Sequence, residues 1–385
     1  MVSKKDMKKI LVLSAGRSDY DRYYPIISEL NKIKKVKLWL CLTKSHQENV
    51  FGNTIKYISN EFRIIKNNYS TKNKIQNEFA RNFCEDLSFV SLQIMKKKPD
   101  LIIVLGDRYE MIIGPISAIP YNVPVIHFFG GAVTEGAIDE LVRHALTKMS
   151  HYHFVLLDQY KKRLIKMGEE SWRVKTIGMH ELNNLKKQKI IDPKLLFKKY
   201  KFNFSEPYIL FTLHPTTLEL DKLKNQIKIL QITLKKSNMN VVFTYPNADP
   251  GYKQVIEFIK KFKNKKRYFI IKNAGANLYA NLLRNSSLLL GNSSSGIVEA
   301  ASFKKPVINL GSRQKGKYIP KNVINCDFDS KKILKSINKA KSKKFIKEIK
   351  KLQNPYESKI KIKDVINIIL KIEKNDRLLR KKFID

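Results

Sequence analysis

KILVLSAGRSDYDRYYPIISELNKIKKVKLWLCLT, residues 9–43, contains one complete structural repeat. An apolar run, Ile10–Leu13, stops at a small polar turn, Ser14–Gly16. Apolar residues then recur at Ile26, Ile27, Leu30 and Ile33, and a second apolar run follows in VKLWLCLT. Helical spacing between two short strand-like runs is β-α-β rhythm. Runs that are apolar at consecutive rather than alternate positions suit strands covered by helices on both faces, which is the pattern of a parallel sheet.

The rhythm continues with a helix near 75–97, DLIIVLGD, a helix near 109–119, VPVIHFF, a helix near 138–148, YHFVLL, a helix near 159–167, and RVKTIG. Residues 1–180 therefore read as one Rossmann-like, doubly wound domain. The stretch 181–207 breaks the pattern and reads as a connection. From Tyr208 the rhythm restarts with YILFTLHP, NVVFTYPN, YFIIKN, LLLGNSSSG and PVINLG, separated by helical spacing near 218–236, 252–263 and 277–285. A second Rossmann-like domain is expected over 208–365, with a helical tail at 366–385. The spacing of Val365, Ile366 and Ile369 fits amphipathic packing rather than a membrane anchor. The fold class is α/β, with two Rossmann-like doubly wound domains.

Composition narrows the function. Lys and Arg number 75 against 34 Asp and Glu, a formal net charge of +41, which invites a nucleic-acid reading. The lysines are spread along the whole chain, with no RNA-binding signature, zinc-finger spacing or Gly/Arg-rich tail, so no nucleic-acid partner is expected. Attraction for anionic substrates remains. Cys41, Cys84 and Cys326 lie far apart without metal-ligand spacing and read as small core residues of a protein from a reducing compartment; no metal and no cofactor is expected. The N-terminal apolar run is too short for a signal peptide, and no segment approaches the ~20 apolar residues of a membrane span. A cytoplasmic protein without a membrane partner is expected, and self-association is left open.

In open parallel sheets, ligands bind beyond the carboxyl ends of the strands, so the strand-end residues carry the functional reading. GNSSSGIVEA ends a strand at Gly291 and starts a helix whose first N–H groups suit an anion. Ser293, Ser294 and Ser295 can add hydroxyl donors to a diphosphate and Glu299 can accept from ribose hydroxyls, although a helix N-cap needs only one of those serines. Arg313 and Arg17, each just after a strand, are suited to the same diphosphate. His214, at the end of YILFTLHP, reads either as a structural histidine or as a phosphate partner, and Asn247 in YPNADPG reads equally as a turn residue. TEGAIDELVRHALTKMSH, Thr134–His151, crowds acids, a guanidinium and an imidazole into a strand-to-helix junction.

Taken together, GRSDYD, GDRYEM, TEGAIDELVRHALTKMSH, GNSSSG and LGSRQKG resemble the hydrolysing UDP-N-acetylglucosamine 2-epimerases of sialic and legionaminic acid pathways, over about Lys8 to Gly316. The resemblance implies a glycosyltransferase-B-like arrangement of the two domains and conversion of a UDP- or GDP-linked 2-acetamido sugar to the free C2 epimer plus nucleoside diphosphate, by elimination to a glycal and rehydration. By matching motif it implies nucleotide binding by Arg17, Arg108, His214, Asn247, Ser293, Ser294, Glu299 and Arg313. It implies catalysis near Asp107, His127 and Asp139, with Glu140, Arg143 and His144 alongside. The chain departs from the family at Phe129 and Ala132, where polar or acidic residues are common, and Glu135 is the acid that would compensate. A glycosyltransferase of the same fold, or a nucleotide-sugar binder with weak turnover, is the competing reading.

Overall fold

The computed structural model describes residues 7–47, 55, 58–67, 78–135, 138–246, 250–263, 265–272 and 274–384. They form two compact units: Met1–Ala132 with Asp139–Glu181 and Ser358–Asp385, and Val133–Ile138 with Leu182–Glu357.

The first unit runs β1 Lys8–Ser14, α1 Arg17–Asn31, β2 Val36–Leu42, β3 Arg63–Lys66, α2 Glu78–Lys97, β4 Leu101–Leu105, α3 Ile113–Ala118, β5 Val125–Phe128, α4 Asp139–Met149, β6 Tyr152–Val155, α5 Asp158–Lys166 and β7 Val174–Thr176. Its seven strands pair in the order β3-β2-β1-β4-β5-β6-β7, and all the pairings are parallel. The winding reverses between β1 and β4, where Ile10 lies opposite Leu101 and Val12 opposite Ile103. Ile10, Leu11, Val12 and Leu13 are all fully buried although their side chains alternate between the two faces. Covered faces on both sides thus account for the unbroken apolar run, and each such side chain stabilises the fold by roughly 1.5–3 kcal/mol.

The second unit runs α6 Glu181–Lys186, α7 Pro193–Tyr200, β8 Tyr208–Thr212, α8 Leu223–Lys236, β9 Asn240–Thr244, α9 Tyr252–Lys260, β10 Tyr268–Ile271, α10 Gly275–Asn285, β11 Leu288–Gly291, α11 Ser294–Val298, β12 Val307–Leu310, β13 Val323–Cys326, α12 Ser330–Lys341 and α13 Lys343–Lys350. The strand order is β10-β9-β8-β11-β12-β13, again parallel, with the reversal between β8 and β11. Ile209, Phe211, Val241 and Phe243 fill one face and Tyr208, Leu210 and Val242 the other.

Several expectations are corrected. The 181–207 stretch is not a bare connection: Leu196, Phe202 and Phe204 are buried against Tyr208 and Leu210. The chain end does not form a separate tail from 366, nor does the second unit extend to 365, because everything from Ser358 packs with the first unit. There α14 Ile362–Lys371 buries Val365, Ile366 and Ile369, and α15 Asp376–Leu379 follows. Arg173, fully buried, donates to the carbonyls of Arg377 and Leu378, both at 2.8 Å. Lys381 Nζ caps the last carbonyls of α4, at 3.0 Å from Thr147 O, 2.9 Å from Lys148 O and 2.7 Å from Ser150 O. These ammonium–carbonyl bonds satisfy orphan acceptors at a helix C-terminus. Of the cysteines only Cys41 is a core residue; Cys84 is exposed and Cys326 half-buried. The short strands β3 and β13, RIIK and VINC, are only partly buried or exposed along their length. Among the described residues, no helix is long and apolar enough to cross a membrane.

Candidate functional site

In the first unit the winding reversal brings the turn after β1 against the turn after β4. A Cβ at Gly16 would lie 3.6 Å from Arg108 Nη1. Arg108 is held by Glu110, with Nη2 to Oε1 at 2.9 Å and Nε to Oε2 at 3.3 Å, and Ser45 Oγ donates to the same Oε1 at 2.9 Å. Beside this pair Asp19 is 3 % exposed, and burial, opposed by Arg108 and Arg22, lifts its carboxyl to about 6.

Next to it α4 presents its first turns. Arg143, 1 % exposed, donates to the Asp107 carboxylate, to Glu140 Oε2 at 2.6 Å and to Ala132 O at 3.2 Å. His144 Nε2 lies 2.8 Å from the other Glu140 oxygen. Spacings of three and four residues put Glu140, Arg143 and His144 on one face of α4. Asp107, Glu140, Arg143 and His144 are therefore one hydrogen-bonded network, and Asp139 opens the helix that carries it. A buried guanidinium between two carboxylates fixes the direction of both.

His127 does not join them. Its ring is fully buried; Nε2 donates to Gly106 O at 2.9 Å, and Nδ1 lies 3.4 Å from Thr147 Oγ1. Burial, partly offset by the Gly106 hydrogen bond, depresses it to about 3, so it is neutral. It sits directly beneath Gly130, where an added Cβ would come within 3.0 Å of the ring. Phe129, the departure from the family pattern, is 6 % exposed and takes φ 68°, a left-handed conformation costly for an aromatic residue.

Glu135 lies in the segment that packs with the second unit and is half exposed. Its carboxylate pairs with Lys315 Nζ at 2.8 Å and its amide donates to Lys315 O at 3.3 Å.

In the second unit Asn292 organises the reversal between β8 and β11. Its carboxamide accepts from His214 N at 2.7 Å and donates to His214 O at 2.8 Å, while its carbonyl accepts from Arg313 Nη1 at 3.2 Å and Gln314 Nε2 at 2.8 Å. Gly291 is obligatory beside it, since a Cβ would fall 1.8 Å from Thr212 O at φ +146°. Burial and then Arg313 push His214 well below the ordinary imidazole range, so it is neutral. Ser293 caps α11 by accepting from Ser295 N at 3.4 Å. Ser295, expected to meet a phosphate, instead donates to Glu299 Oε2 at 2.7 Å and takes the Tyr279 hydroxyl as its own donor. A carboxylate only accepts, which fixes this direction. Arg17 is the first residue of α1, and Asn247 lies outside the described residues.

Asn292, Tyr279, Asp19 and Glu110 were absent from the residues expected from sequence. Asn292, Asp19 and Glu110 do lie within the quoted motifs GNSSSG, GRSDYD and GDRYEM; Tyr279 is in none of them.

A family model described as UDP-N-acetylglucosamine 2-epimerase matches residues 28–370. The GDP/UDP-N,N'-diacetylbacillosamine 2-epimerase (hydrolyzing) of Campylobacter jejuni is 33 % identical over 98 % of this chain and 99 % of its own. The UDP-N,N'-diacetylbacillosamine 2-epimerase (hydrolyzing) of Legionella pneumophila is 32 % identical over 89 % of this chain and 91 % of its own. In fold, the crystal structure of UDP-GlcNAc 2-epimerase from Neisseria meningitidis bound to UDP-GlcNAc superposes with a TM-score of 0.78 at 21 % identity, covering 94 % of this chain and all of that one.

Proposed function

Because the chain belongs to the UDP-N-acetylglucosamine 2-epimerase family and is an epimerase, we propose that it hydrolyses a UDP- or GDP-linked 2-acetamido sugar to the free C2 epimer and nucleoside diphosphate, for nonulosonic acid biosynthesis. The observation that carries this reading is the network of Asp107, Arg143, Glu140 and His144 in a chain that also bears the GNSSSG turn. Two relatives named for diacetylbacillosamine make the 2,4-diacetamido sugar the first substrate to try.

A C2–H beside an acetamide is only weakly acidic. As the C1–O bond to the diphosphate breaks, C1 gains oxocarbenium character and that proton becomes removable. One carboxylate of the Asp107, Asp139 and Glu140 group takes it, leaving a 2-acetamidoglycal and a nucleoside diphosphate. Water then adds its oxygen to C1 and gives up one proton to solvent, and a second acid delivers a proton to the opposite face of C2, so the sugar leaves free and inverted. Arg143 holds the carboxylates in place, and His144, bonded to Glu140, relays the proton to solvent. Arg17, Arg313, Ser293 and Ser294 neutralise the departing diphosphate, His214 donates to it as a neutral imidazole, and Glu299 accepts from the ribose.

The test is turnover in deuterated water with a panel of nucleotide-sugars. The expected product carries one deuterium at C2 with inverted configuration, alongside free nucleoside diphosphate. Inversion without deuterium defeats the two-sided proton transfer, and transfer of an unchanged sugar to an acceptor establishes a glycosyltransferase instead.

A further inference from the structure

The second unit contains a cleft of about 650 Å³ at the carboxyl ends of β12 and β13, walled by α8 and by the turn 311–316. None of the epimerase chemistry proposed above uses it. Its volume falls within the roughly 300–1,000 Å³ of small-molecule sites and is far beyond that of a single water.

Two side chains lining it are buried and incompletely bonded. Asn309, 4 % exposed, spends its Nδ2 on Asn325 Oδ1 at 2.9 Å, and its Oδ1 has no donor. Gln314, 1 % exposed, spends its Nε2 on Asn292 O, and its Oε1 likewise has no donor. Buried carbonyls without donors are costly and call for an explanation, and two on one cleft point to a ligand that supplies hydroxyl or N–H groups.

The charged groups around the cleft are already matched. Glu219 accepts from Ser312 Oγ at 2.6 Å and lies 3.8 Å from Lys222, Lys315 pairs with Glu135 at 2.8 Å, and Asp327 pairs with Lys332 at 2.8 Å. That pairing disfavours a strongly charged ligand, while Ile229, Ile319 and Phe328 give the cleft an apolar side.

We infer that this cleft is a second small-molecule site, taking a neutral ring with hydroxyl and amide N–H donors, of the class of the free 2-acetamido sugar. The choice of that sugar rests on the proposed reaction, which releases it; the cleft and its empty acceptors do not. Occupancy there, beside the Arg313 turn, would let released product act back on the unit that holds the diphosphate.

The experiment is saturation-transfer NMR and calorimetry of the full chain with N-acetylmannosamine while UDP is present at saturation. Binding is expected to persist under UDP and to weaken at least tenfold in Asn309→Leu. The same loss is expected in Asn225→Trp, which fills the rim from an exposed position on α8 and keeps the test valid if Asn309→Leu fails to fold. Displacement of the sugar by UDP, absence of binding to the unaltered chain, or unchanged binding in Asn225→Trp overturns the inference. Release of UDP from nucleotide-sugars is measured separately. Release without sugar binding sinks this inference alone, whereas sugar binding that Asn225→Trp abolishes, in a chain that releases no UDP, sinks the proposed reaction and leaves the cleft standing.

Discussion

At the end of β4 the side chains are ions held against ions, whereas at the end of β11 they are amides and hydroxyls held against backbone. Asp107, Arg143 and Glu140 form a charged chain whose guanidinium is almost wholly buried. Across the second sheet's winding reversal, by contrast, Asn292 bonds both backbone groups of a neutral His214, and Ser293 caps a helix of only five residues. The two units share topology and differ in chemistry. Fixed charges suit groups that must give up and regain protons at a set geometry. Neutral dipoles with one guanidinium suit an anion, because they present donors to it while the Glu299 carboxylate is engaged by Ser295.

Removing one charge from the first unit should stop the reaction while sparing nucleotide binding. Asp107→Asn is expected to lower kcat by at least ~100-fold with UDP affinity unchanged, the scale of a positioned acid–base group; near-normal turnover would take Asp107 out of the chemistry. A second charged group of this unit should appear in stability. With its carboxyl lifted from 3.8 to about 6, Asp19 holds a proton in the folded chain where the unfolded chain has lost it. Its stabilising contribution is full below pH 3.8 and is lost as pH rises through 6, about 3 kcal/mol for a change of this size. Denaturant titrations at pH 4 and pH 7 should show the native chain losing that much relative to Asp19→Asn. A difference between the two chains that does not vary with pH would mean Asp19 is not held protonated.

In the second unit the effects should fall on binding. Arg313→Ala is expected to weaken UDP by about 1.5–3 kcal/mol in calorimetry, as for one charge-assisted hydrogen bond. Tyr279→Phe removes the donor behind Ser295 and Glu299, so KM should rise several-fold, about 1 kcal/mol, with kcat unchanged; a fall in kcat instead would place Tyr279 in the chemistry. The smallest effect is expected at Glu135. Its pair with Lys315 is half exposed, and such pairs contribute ~0–1 kcal/mol. Glu135→Gln should therefore leave turnover within a few-fold of the native chain, and a loss as large as that of Asp107→Asn would restore it as the compensating acid.

Several of these placements were readable from sequence because they depend on short-range spacing. Glu140, Arg143 and His144 share a helix face by their separations of three and four, and GDR follows an apolar run that could only be a buried strand. The strand-end position of His127 is the same whether its ring points to a ligand or beneath Gly130. The Ser295 hydroxyl, in a Ser-rich turn, carries no record of Tyr279, sixteen residues earlier on another helix.

Consecutive apolar runs separated by helical spacing determined by themselves that this chain makes two doubly wound parallel sheets, since hydrophobic burial on both faces of a strand leaves a local signature. What only the tertiary structure decided was the set of long-range partners. It returned the chain from Ser358 to the first unit, tied Lys381 to the end of α4, joined Asp107 to Arg143, attached Glu135 to Lys315, and left two carboxamide oxygens facing a cleft without donors. Hydrogen bonds and ion pairs act over about 3 Å between residues far apart in the chain. No periodicity encodes them, and they exist only once packing has brought their atoms together.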